Sequence, residues 1–454
     1  MAAAPPSRLA LARNPISLVG AAVTTASALV FLALFLLNIS GFLVNPYVGL
    51  LIYVALPIAF LVGLVLVPFG SWRTRRRIER GGAAYPEWPR VDLNDPTQRH
   101  AVAIVLLLTC ANIVILSTAT YGGVHYMDTV GFCGTVCHTT MQPQFVGHER
   151  GPHARLECVS CHIEPGAASF FEAKLAGAHQ LFDIVARRVP RPIPSTPRTL
   201  RPTGDTCKTC HWPPFFHGDR LQVIREYDDD EKNTVTTTTL VLHIGGGGAK
   251  PGIGGIHWHV ATDVEYVATD ASLQTIPYVE VHRPSGETLR FATKAATPTV
   301  LANGIRRRVD CVDCHNRPSH QFEPSASAAI DRGIAVGDMP ADLPWVKKEA
   351  TAAIAASYPS REAARSGIAE RLRRFYQERY PAASLEPKVA RAVAAAQEAY
   401  ADNVFPAMRV TWGTYVSNIG HTDAPGCFRC HDGEHRTSTG QTISQSCDLC
   451  HDIH

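Results

Sequence analysis

The sequence predicts a chain in two parts: three N-terminal transmembrane helices, then a mostly helical and loop-rich body that contains a small β-rich insert. Three observations predict this organisation, namely three long uncharged runs near the start, six repeated cysteine motifs after them, and one segment rich in β-branched residues between the motifs. The chain has 454 residues, which is longer than one ordinary compact domain. A membrane part followed by a body outside the membrane is therefore expected.

The three uncharged runs are each long enough to span a membrane. They cover 16–38, 44–70 and 101–124, and a helix needs roughly 20 apolar residues to cross a hydrocarbon core of about 30 Å. Arginines precede the first run and follow the second, whereas the loop between these two runs is uncharged. By the positive-inside rule, residues 1–15 and the basic loop 71–100 lie in the cytoplasm, and the chain after the third run lies on the opposite side.

Twelve of the thirteen cysteines form six close pairs, and each pair is followed at once by a histidine. The six motifs are Cys133/Cys137/His138, Cys158/Cys161/His162, Cys207/Cys210/His211, Cys311/Cys314/His315, Cys427/Cys430/His431 and Cys447/Cys450/His451. Two thiols about one helical turn apart can add to the two vinyl groups of a haem, and the adjacent imidazole then meets the iron. Structural zinc also uses paired cysteines but does not require that histidine. The pattern therefore favours six covalent haems c over zinc or disulfides.

The predicted fold class is thus a membrane-anchored multihaem cytochrome c, in which haem packs the body. Because c-type haem is attached on the oxidising side of the membrane, the motifs agree with the predicted topology. The anchor is expected in the bacterial inner membrane and the body in the periplasm. Each haem brings two propionates, so we expect the assembled protein to be acidic despite a formal charge of +3. That balance gives no indication of nucleic-acid binding.

Histidines outside the motifs are candidates for the second axial position, since haem irons that only transfer electrons normally have two axial ligands. Seven are predicted, and they are His153, His217, His257, His259, His320, His421 and His435; His148, His243 and His282 are reserves. The first motif has three residues between its cysteines, and Met141 follows His138 by three. At that iron either His138 or Met141 is a candidate ligand, and packing of Met141 against the porphyrin is an equal alternative.

The body divides by composition into four segments. Residues 125–225 carry the first three motifs, and 226–305 are rich in β-branched and alternating residues, which predicts the β-rich insert. Residues 306–400 contain the fourth motif and stretches rich in alanine and arginine, which predict helices. Residues 401–454 carry the last two motifs in a loop-rich unit whose core is expected to be haem itself, because apolar side chains are few.

An amphipathic helix is predicted over 168–188, with His179 and Asp183 on its polar stripe and Lys174 at the edge of its apolar face. On a helix lying along the membrane surface, snorkelling explains such a lysine without any function. The alternative is a quinol site. Quinol oxidation releases two protons with two electrons, so it needs groups that accept protons beside an iron. Lys174, His179 and Asp183 are our candidates for that role.

Several runs resemble the NapC/NirT membrane cytochromes over residues 101–212. They are the third apolar run, CGTVCHTTM from Cys133 to Met141, GPHARLECVSCH ending at His162, and the lysine-bearing helix. The resemblance implies a quinol dehydrogenase whose first haem lies at the membrane surface with Met141 as a ligand. It also implies that the Lys174 helix lines the quinol pocket and that His153 ligates a haem other than its neighbour. The three spans, the CxxxCH motif, the β-rich insert and the extra haems differ from that family's four-haem, single-span pattern. The CHWP, CHNRPSH and GCFRCHDGEH runs are more similar to its larger members in metal-reducing bacteria.

The sequence therefore favours an inner-membrane quinol dehydrogenase that draws on the quinol pool. Its electrons would pass along six haems to periplasmic cytochromes or an outer-membrane conduit, in anaerobic or extracellular respiration. A terminal reductase of a small periplasmic substrate is one alternative. It needs a five-coordinate iron in an open basic pocket, and the supply of spare histidines argues against it. A passive membrane-anchored relay that takes electrons from another protein is the other alternative.

Overall fold

The computed structural model describes residues 11–12, 14–39, 55–82, 92–136, 138–164, 166–194, 203–216, 218–246, 255–381 and 384–454. The chain forms two compact units. The first, which we call the membrane unit, comprises Met1–Phe132 and Ile163–Val185. The second, which we call the haem unit, comprises Cys133–His162 and Ala186–His454. The haem unit contains all six cysteine motifs.

The structure is a mixture of helices and short strands. In chain order the α-helices are α1 (Pro15–Ile39), α2 (Leu56–Glu79), α3 (Pro96–Asp128), α4 (His138–Glu149), α5 (Val159–His162), α6 (Ala167–Val185), α7 (Thr203–Cys207), α8 (Trp258–Ala261), α9 (Pro298–Asn303), α10 (Cys311–Cys314), α11 (Ala326–Ala335), α12 (Val346–Ala355), α13 (Arg361–Arg379) and α14 (Glu386–Asn403). The strands are β1 (Arg220–Tyr227), β2 (Val235–Leu242), β3 (Asp263–Ala268), β4 (Tyr278–His282), β5 (Thr288–Ala292), β6 (Ile305–Arg308) and β7 (His451–Ile453). Short 3₁₀ turns cover Pro213–Phe215, Pro406–Met408, Gly426–Arg429 and Cys447–Leu449, and a π-helical turn covers Phe132–Val136.

Two helices of the membrane unit are long and apolar enough to cross a membrane, counting only described residues. They are α1, over Pro15–Leu34, and α2, over Leu56–Glu79. The third predicted span falls in α3, a continuous helix of 33 residues. Several side chains of α3, that of Val105 among them, lie outside the described residues. Within the described residues the structure thus supports two of the three predicted spans, and the third, 101–124, stays a prediction.

Small residues let α1 and α2 approach closely. A Cβ atom built on Gly63 would lie 2.7 Å from the carbonyl oxygen of Gly20, so only glycine fits there. The Ser17 hydroxyl donates a hydrogen bond of 2.8 Å to the carbonyl oxygen of Val67 on the facing helix. Close backbone approach and interhelical hydrogen bonds of this kind hold helices together where lipid removes the hydrophobic drive.

Two antiparallel sheets replace the single β-rich insert of the prediction. One has four strands in the order β5-β4-β3-β6, and the other has three in the order β1-β2-β7. Strand β7 comes from the C-terminus and pairs Leu242 with His451. The last cysteine motif is thus attached to a strand that lies more than 200 residues earlier in the chain. The other sheet has its own apolar core, which includes Tyr266 and Phe291.

A bundle of four helices, α11 to α14, follows the fourth motif and has a core of aliphatic side chains and alanines. Ile330, Ile368 and Leu372 in this core have no exposed surface. Serine residues begin two of the helices, since the Ser325 and Ser360 hydroxyls accept hydrogen bonds from backbone N–H groups three residues later. This bundle needs no haem for its core, whereas the last 54 residues contain few buried apolar side chains.

Candidate haem sites

Most motifs share one local fold. In four of them the backbone N–H of the motif histidine donates to the carbonyl oxygen of the first cysteine, which closes one helical turn. These bonds measure 3.0 Å for His162, 2.7 Å for His211, 2.8 Å for His315 and 3.1 Å for His431. A single turn places both thiols and the imidazole on one side of the backbone, as covalent attachment of haem requires. In the first motif, Cys133 lies in the π-helical turn, Cys137 is outside the described residues, and so is the side chain of His138.

The second cysteines of the second and third motifs differ in their surroundings. Cys161 lies inside α5 and is half-buried, and its backbone N–H donates to the carbonyl oxygen of Cys158 at 3.3 Å. Cys210 lies in a turn beyond the end of α7 and is exposed. Its backbone N–H donates to Cys207 at 3.2 Å, and the Thr209 hydroxyl lies 3.9 Å from its sulfur. The third motif thus closes its turn at the surface, whereas the second closes it inside a helix.

The last two motifs are exposed at their first cysteine and half-buried at their second. Cys427 and Cys447 are exposed, whereas Cys430 and Cys450 are less so. The backbone N–H of each second cysteine donates to the carbonyl oxygen of the first, at 3.3 Å in the fifth motif and 3.1 Å in the sixth. Both motifs therefore keep the turn that haem attachment needs, with one thiol facing outward.

Burial and neighbouring thiols shift the pKa values of several cysteines in both directions. Burial raises the pKa of Cys314 to about 11 and that of Cys430 to about 12, whereas a hydrogen bond with Cys311 lowers the pKa of Cys207 to about 7. Across the described ranges, no cysteine is in a disulfide, and no three histidine, cysteine or acidic side chains are grouped as a metal site. The cysteines in these ranges therefore carry thiols that can form thioethers.

Five motif histidines each face a histidine from elsewhere in the haem unit. The ring centroids are 6.1 Å apart for His162 and His320, 6.0 Å for His211 and His153, 6.3 Å for His315 and His257, 5.9 Å for His431 and His259, and 6.2 Å for His451 and His421. When one iron binds two imidazoles on opposite sides, each iron–nitrogen bond is about 2 Å long and each nitrogen lies roughly 1 Å from the centre of its ring. The two ring centroids are then about 6 Å apart. All five separations fit a haem iron with two axial imidazoles.

The second ring nitrogen of most partner histidines is held by a backbone carbonyl oxygen. The Nδ1 acceptors are the carbonyls of Pro318 for His153, Ile244 for His257, Ile256 for His259 and Gln144 for His320, at 2.5 to 3.0 Å. On the motif side, His431 makes the same bond to Ser444 at 2.7 Å. Donation from Nδ1 fixes the tautomer, orients the ring and leaves Nε2 to bind a metal. Sequence gives no signal for these carbonyl groups, which prediction missed.

Burial also keeps several of these imidazoles neutral. It lowers the pKa of His162, His259 and His315, and it lowers that of His320 to about 4. Only a neutral imidazole has the lone pair that a metal needs. The four rings are therefore in the coordinating form at neutral pH.

Two predicted distal histidines remain. His217 lies outside the described residues. His435 is 1% exposed, with Nδ1 2.9 Å from an Asp432 carboxylate oxygen and Nε2 2.8 Å from the carbonyl oxygen of Ile276. Both of its nitrogens are occupied, so we leave His435 out of the proposed ligands. Among the reserves, His148 is buried and lies 6.1 Å from His320, which already faces a motif histidine.

Consecutive motifs lie against one another. The thiols of Cys133 and Cys158, from the first and second motifs, are in hydrogen-bonding contact. Those of Cys207 and Cys311, from the third and fourth motifs, make the same contact. Haems attached to such cysteines would be close neighbours.

A buried arginine joins the fourth and fifth motifs. Arg429 lies between the cysteines of the fifth motif and is 9% exposed. Its guanidinium donates to three carbonyl oxygens, those of Gly426, of Leu273 and of Asp313 within the fourth motif. On the other side of these two motifs, the short helix α8 and the residue before it supply both partner histidines, since His257 faces His315 and His259 faces His431.

The candidate quinol residues lie on α6 in the membrane unit. The helix ends at Val185, and Arg187 beyond it takes a left-handed conformation with φ of 57°. His179 Nδ1 lies 3.1 Å from a carboxylate oxygen of Asp183 one turn later. The His179 side chain is 75% exposed and that of Asp183 is 28% exposed. The structure thus brings two of the three residues together, and the side chain of Lys174 is outside the described residues.

One curated relative covers almost the whole chain. It is the cytochrome c-type protein ImcH of Geobacter sulfurreducens, which is 39% identical over 448 residues, or 97% of this chain and 88% of the relative. No family model and no solved structure matches the chain, so the NapC/NirT resemblance stays a prediction. An identity of this size over this length, together with six cysteine motifs and two apolar helices, leaves one conclusion. The chain belongs to the ImcH family and is a membrane-anchored multihaem c-type cytochrome with covalently bound haem.

Proposed function

We propose that the protein is a quinol dehydrogenase of the bacterial inner membrane that passes electrons along six haems to periplasmic cytochromes or an outer-membrane conduit. The observation that supports this proposal most is the set of five facing histidine pairs, because irons with two axial ligands are suited to electron transfer. Bound haem supplies a one-electron carrier at each motif. The protein holds each haem between two imidazoles and determines which other haems lie close to it.

The pairs disfavour a terminal reductase. A substrate that binds iron needs an open axial position, and in five of the six motifs a second imidazole fills it. The proposed pairs, motif histidine first, are His162–His320, His211–His153, His315–His257, His431–His259 and His451–His421. At the first motif we keep either His138 or Met141 as the proposed ligand. That motif alone has the longer cysteine spacing.

Proton acceptance at the quinol is assigned to α6. The Asp183 carboxylate holds Nδ1 of His179, so the exposed Nε2 is the nitrogen that faces a ligand. A histidine oriented by a carboxylate is a common proton acceptor, because the carboxylate stabilises the imidazolium that forms. Lys174 stays our candidate from the sequence for the positive charge at the quinol oxygen, although it lies at the edge of the apolar face and not on the polar stripe of His179 and Asp183. Helix α6 also belongs to the same compact unit as the two apolar helices.

We keep the orientation predicted from the arginines, with 101–124 as the third span. Three crossings place the N-terminus in the cytoplasm and the haem unit in the periplasm. Stopped-flow mixing of the purified protein with menaquinol and ubiquinol analogues tests the function. Rapid haem reduction by either quinol supports a dehydrogenase. If neither quinol reduces the haems while dithionite does, the passive relay is the correct alternative.

We predict that Lys174→Ala and Asp183→Asn each slow quinol-driven haem reduction by about 10²-fold, the usual contribution of a positioned proton acceptor. Stopped-flow absorbance in the haem α-band measures the rate. Gln180→Ala, an exposed change on the same helix, serves as the control and leaves the rate unaltered. Dithionite reduction stays complete in all three variants. Unchanged quinol rates in both Lys174→Ala and Asp183→Asn contradict the assignment.

A further inference from the structure

A buried guanidinium beside the second haem site lacks partners for two of its donors. Arg317 follows the fourth motif in the run His315-Asn316-Arg317-Pro318-Ser319-His320. Its Nε and Nη2 atoms are buried, and within the described residues neither has a hydrogen-bond partner. A charge removed from water without compensation is strongly unfavourable, so the assembled protein must supply an acceptor.

The guanidinium is held in place by its surroundings. Its central carbon lies 4.3 Å from the ring centroid of Tyr415. That ring packs in turn against Phe322 at 4.8 Å, and its hydroxyl donates to the carbonyl oxygen of Ile193 at 3.1 Å. Backbone and side-chain bonds also fix the loop on both sides, since Pro318 accepts from His153 and His320 donates to Gln144. The two unpartnered donors therefore belong to a preorganised site.

The chemistry of the missing acceptor follows from the geometry of the donors. Nε and Nη2 lie on one edge of the guanidinium, and together they donate two parallel hydrogen bonds. A carboxylate has two oxygens at the matching spacing, and arginine pairs with carboxylates in this bidentate way. A water molecule can accept from both donors but leaves the charge uncompensated.

We propose that Arg317 binds a propionate carboxylate of the haem held between His162 and His320. Haem is the source of carboxylates that the motifs place in this part of the protein. Arg317 lies three residues before His320, and the Tyr415 ring beneath it contacts Phe322, two residues after His320. The guanidinium thus sits in the loop that supplies this haem's second ligand. The inference rests on the haem part of the proposed function and is independent of quinol.

Arg317→Met tests the assignment, because methionine has an unbranched apolar side chain and no charge. A positive charge near an iron favours its reduced state. We therefore expect one midpoint potential in a spectroelectrochemical titration to fall while the others stay in place. The propionate bending band in the resonance Raman spectrum is expected to shift as well. Arg225→Met removes an exposed arginine from β1 and is expected to change neither.

A second variant identifies which haem responds. Methionine ligation raises a haem potential, so the midpoint that rises in His320→Met marks the second haem. The midpoint that falls in Arg317→Met must be the same one. A fall confined to another haem, or an unchanged potential and Raman band, overturns the proposal. If Arg317→Met fails to attach haem, Arg317→Lys retains the charge and is expected to shift the Raman band alone; an unchanged band there also overturns it. None of these readouts uses quinol.

Discussion

Replacing His257 with alanine is expected to convert one haem from six-coordinate low spin to five-coordinate high spin. His257 faces the motif histidine His315 at 6.3 Å, and its Nδ1 is held by the Ile244 carbonyl oxygen, which leaves Nε2 for the iron. Removal leaves the cysteine thioethers and His315 in place, so the haem stays attached. The opened position should bind carbon monoxide in the reduced protein. Electron paramagnetic resonance of the oxidised protein and carbon monoxide difference spectra measure the change.

His435 offers a matched control, because sequence alone makes it an equally good ligand. Its two nitrogens contact Asp432 and the Ile276 carbonyl oxygen, so His435→Gln is expected to create no new high-spin haem. A new high-spin signal in His435→Gln, or none in His257→Ala, would show that the pairs are assigned wrongly. A reductase acting at one of the five paired haems would already show a high-spin iron there before any substitution.

The second large effect is on stability, in the helical bundle. The Lys347 ammonium is 3% exposed and lies 2.5 Å from an Asp331 carboxylate oxygen, with two further bonds to Ser327. Asp331→Ala leaves that ammonium buried without its counter-ion. We expect the free energy of unfolding to fall by about 3–5 kcal/mol, which lowers the melting temperature by on the order of 10 °C. Thermal unfolding followed by far-ultraviolet circular dichroism measures it.

An exposed ion pair on the same bundle provides the comparison. Lys388 and Asp342 are 2.6 Å apart, but their side chains are 42% and 70% exposed. Asp342→Ala is expected to change stability by about 0–1 kcal/mol, because water screens the pair. Haem content should be normal in both variants, since no cysteine motif lies in the bundle. Equal effects of the two substitutions would mean that burial does not strengthen the Lys347 pair.

Sequence reasoning found the parts of the site that are local and missed those that depend on topology. Each cysteine motif forms a single turn of backbone, so consecutive residues in the sequence are enough to identify it. The partner of a motif histidine comes from wherever the sheets and loops bring a second imidazole. His435 is close to the fifth motif in sequence, yet the ring that faces His431 belongs to His259, which precedes the four-stranded sheet in the chain. Proximity along the chain therefore does not identify the partner of a motif histidine.

The exposure of individual thiols depends on topology in the same way. Cys161 and Cys210 occupy the same position in identical motifs, but one lies within a helical turn and the other in a surface turn. The motif specifies the spacing of the thiols, whereas the elements packed around each turn decide how much of the sulfur water reaches.

The fold shows the same division. Apolar runs predicted α1 and α2, and alternating residues predicted strands between the third and fourth motifs. A period of two indicates a strand but not its neighbour, so the pairing of β2 with the C-terminal β7 had no signal. The amphipathic pattern of α6 was sufficient to predict that helix, because side-chain periodicity is a property of consecutive residues.

The run His257-Trp258-His259 ties two electron carriers to a single rigid piece of backbone. In the proposed assignment its two imidazoles serve the fourth and fifth haems, and residues two apart have Cα atoms no more than about 7 Å from each other. The gap across which an electron must tunnel is thereby limited by covalent geometry instead of by how well separate elements stay docked. Fluctuations of the surrounding sheets or partial thermal unfolding would change the rate of electron transfer between these two haems little. Electron transfer between haems whose ligands come from separate segments would slow first.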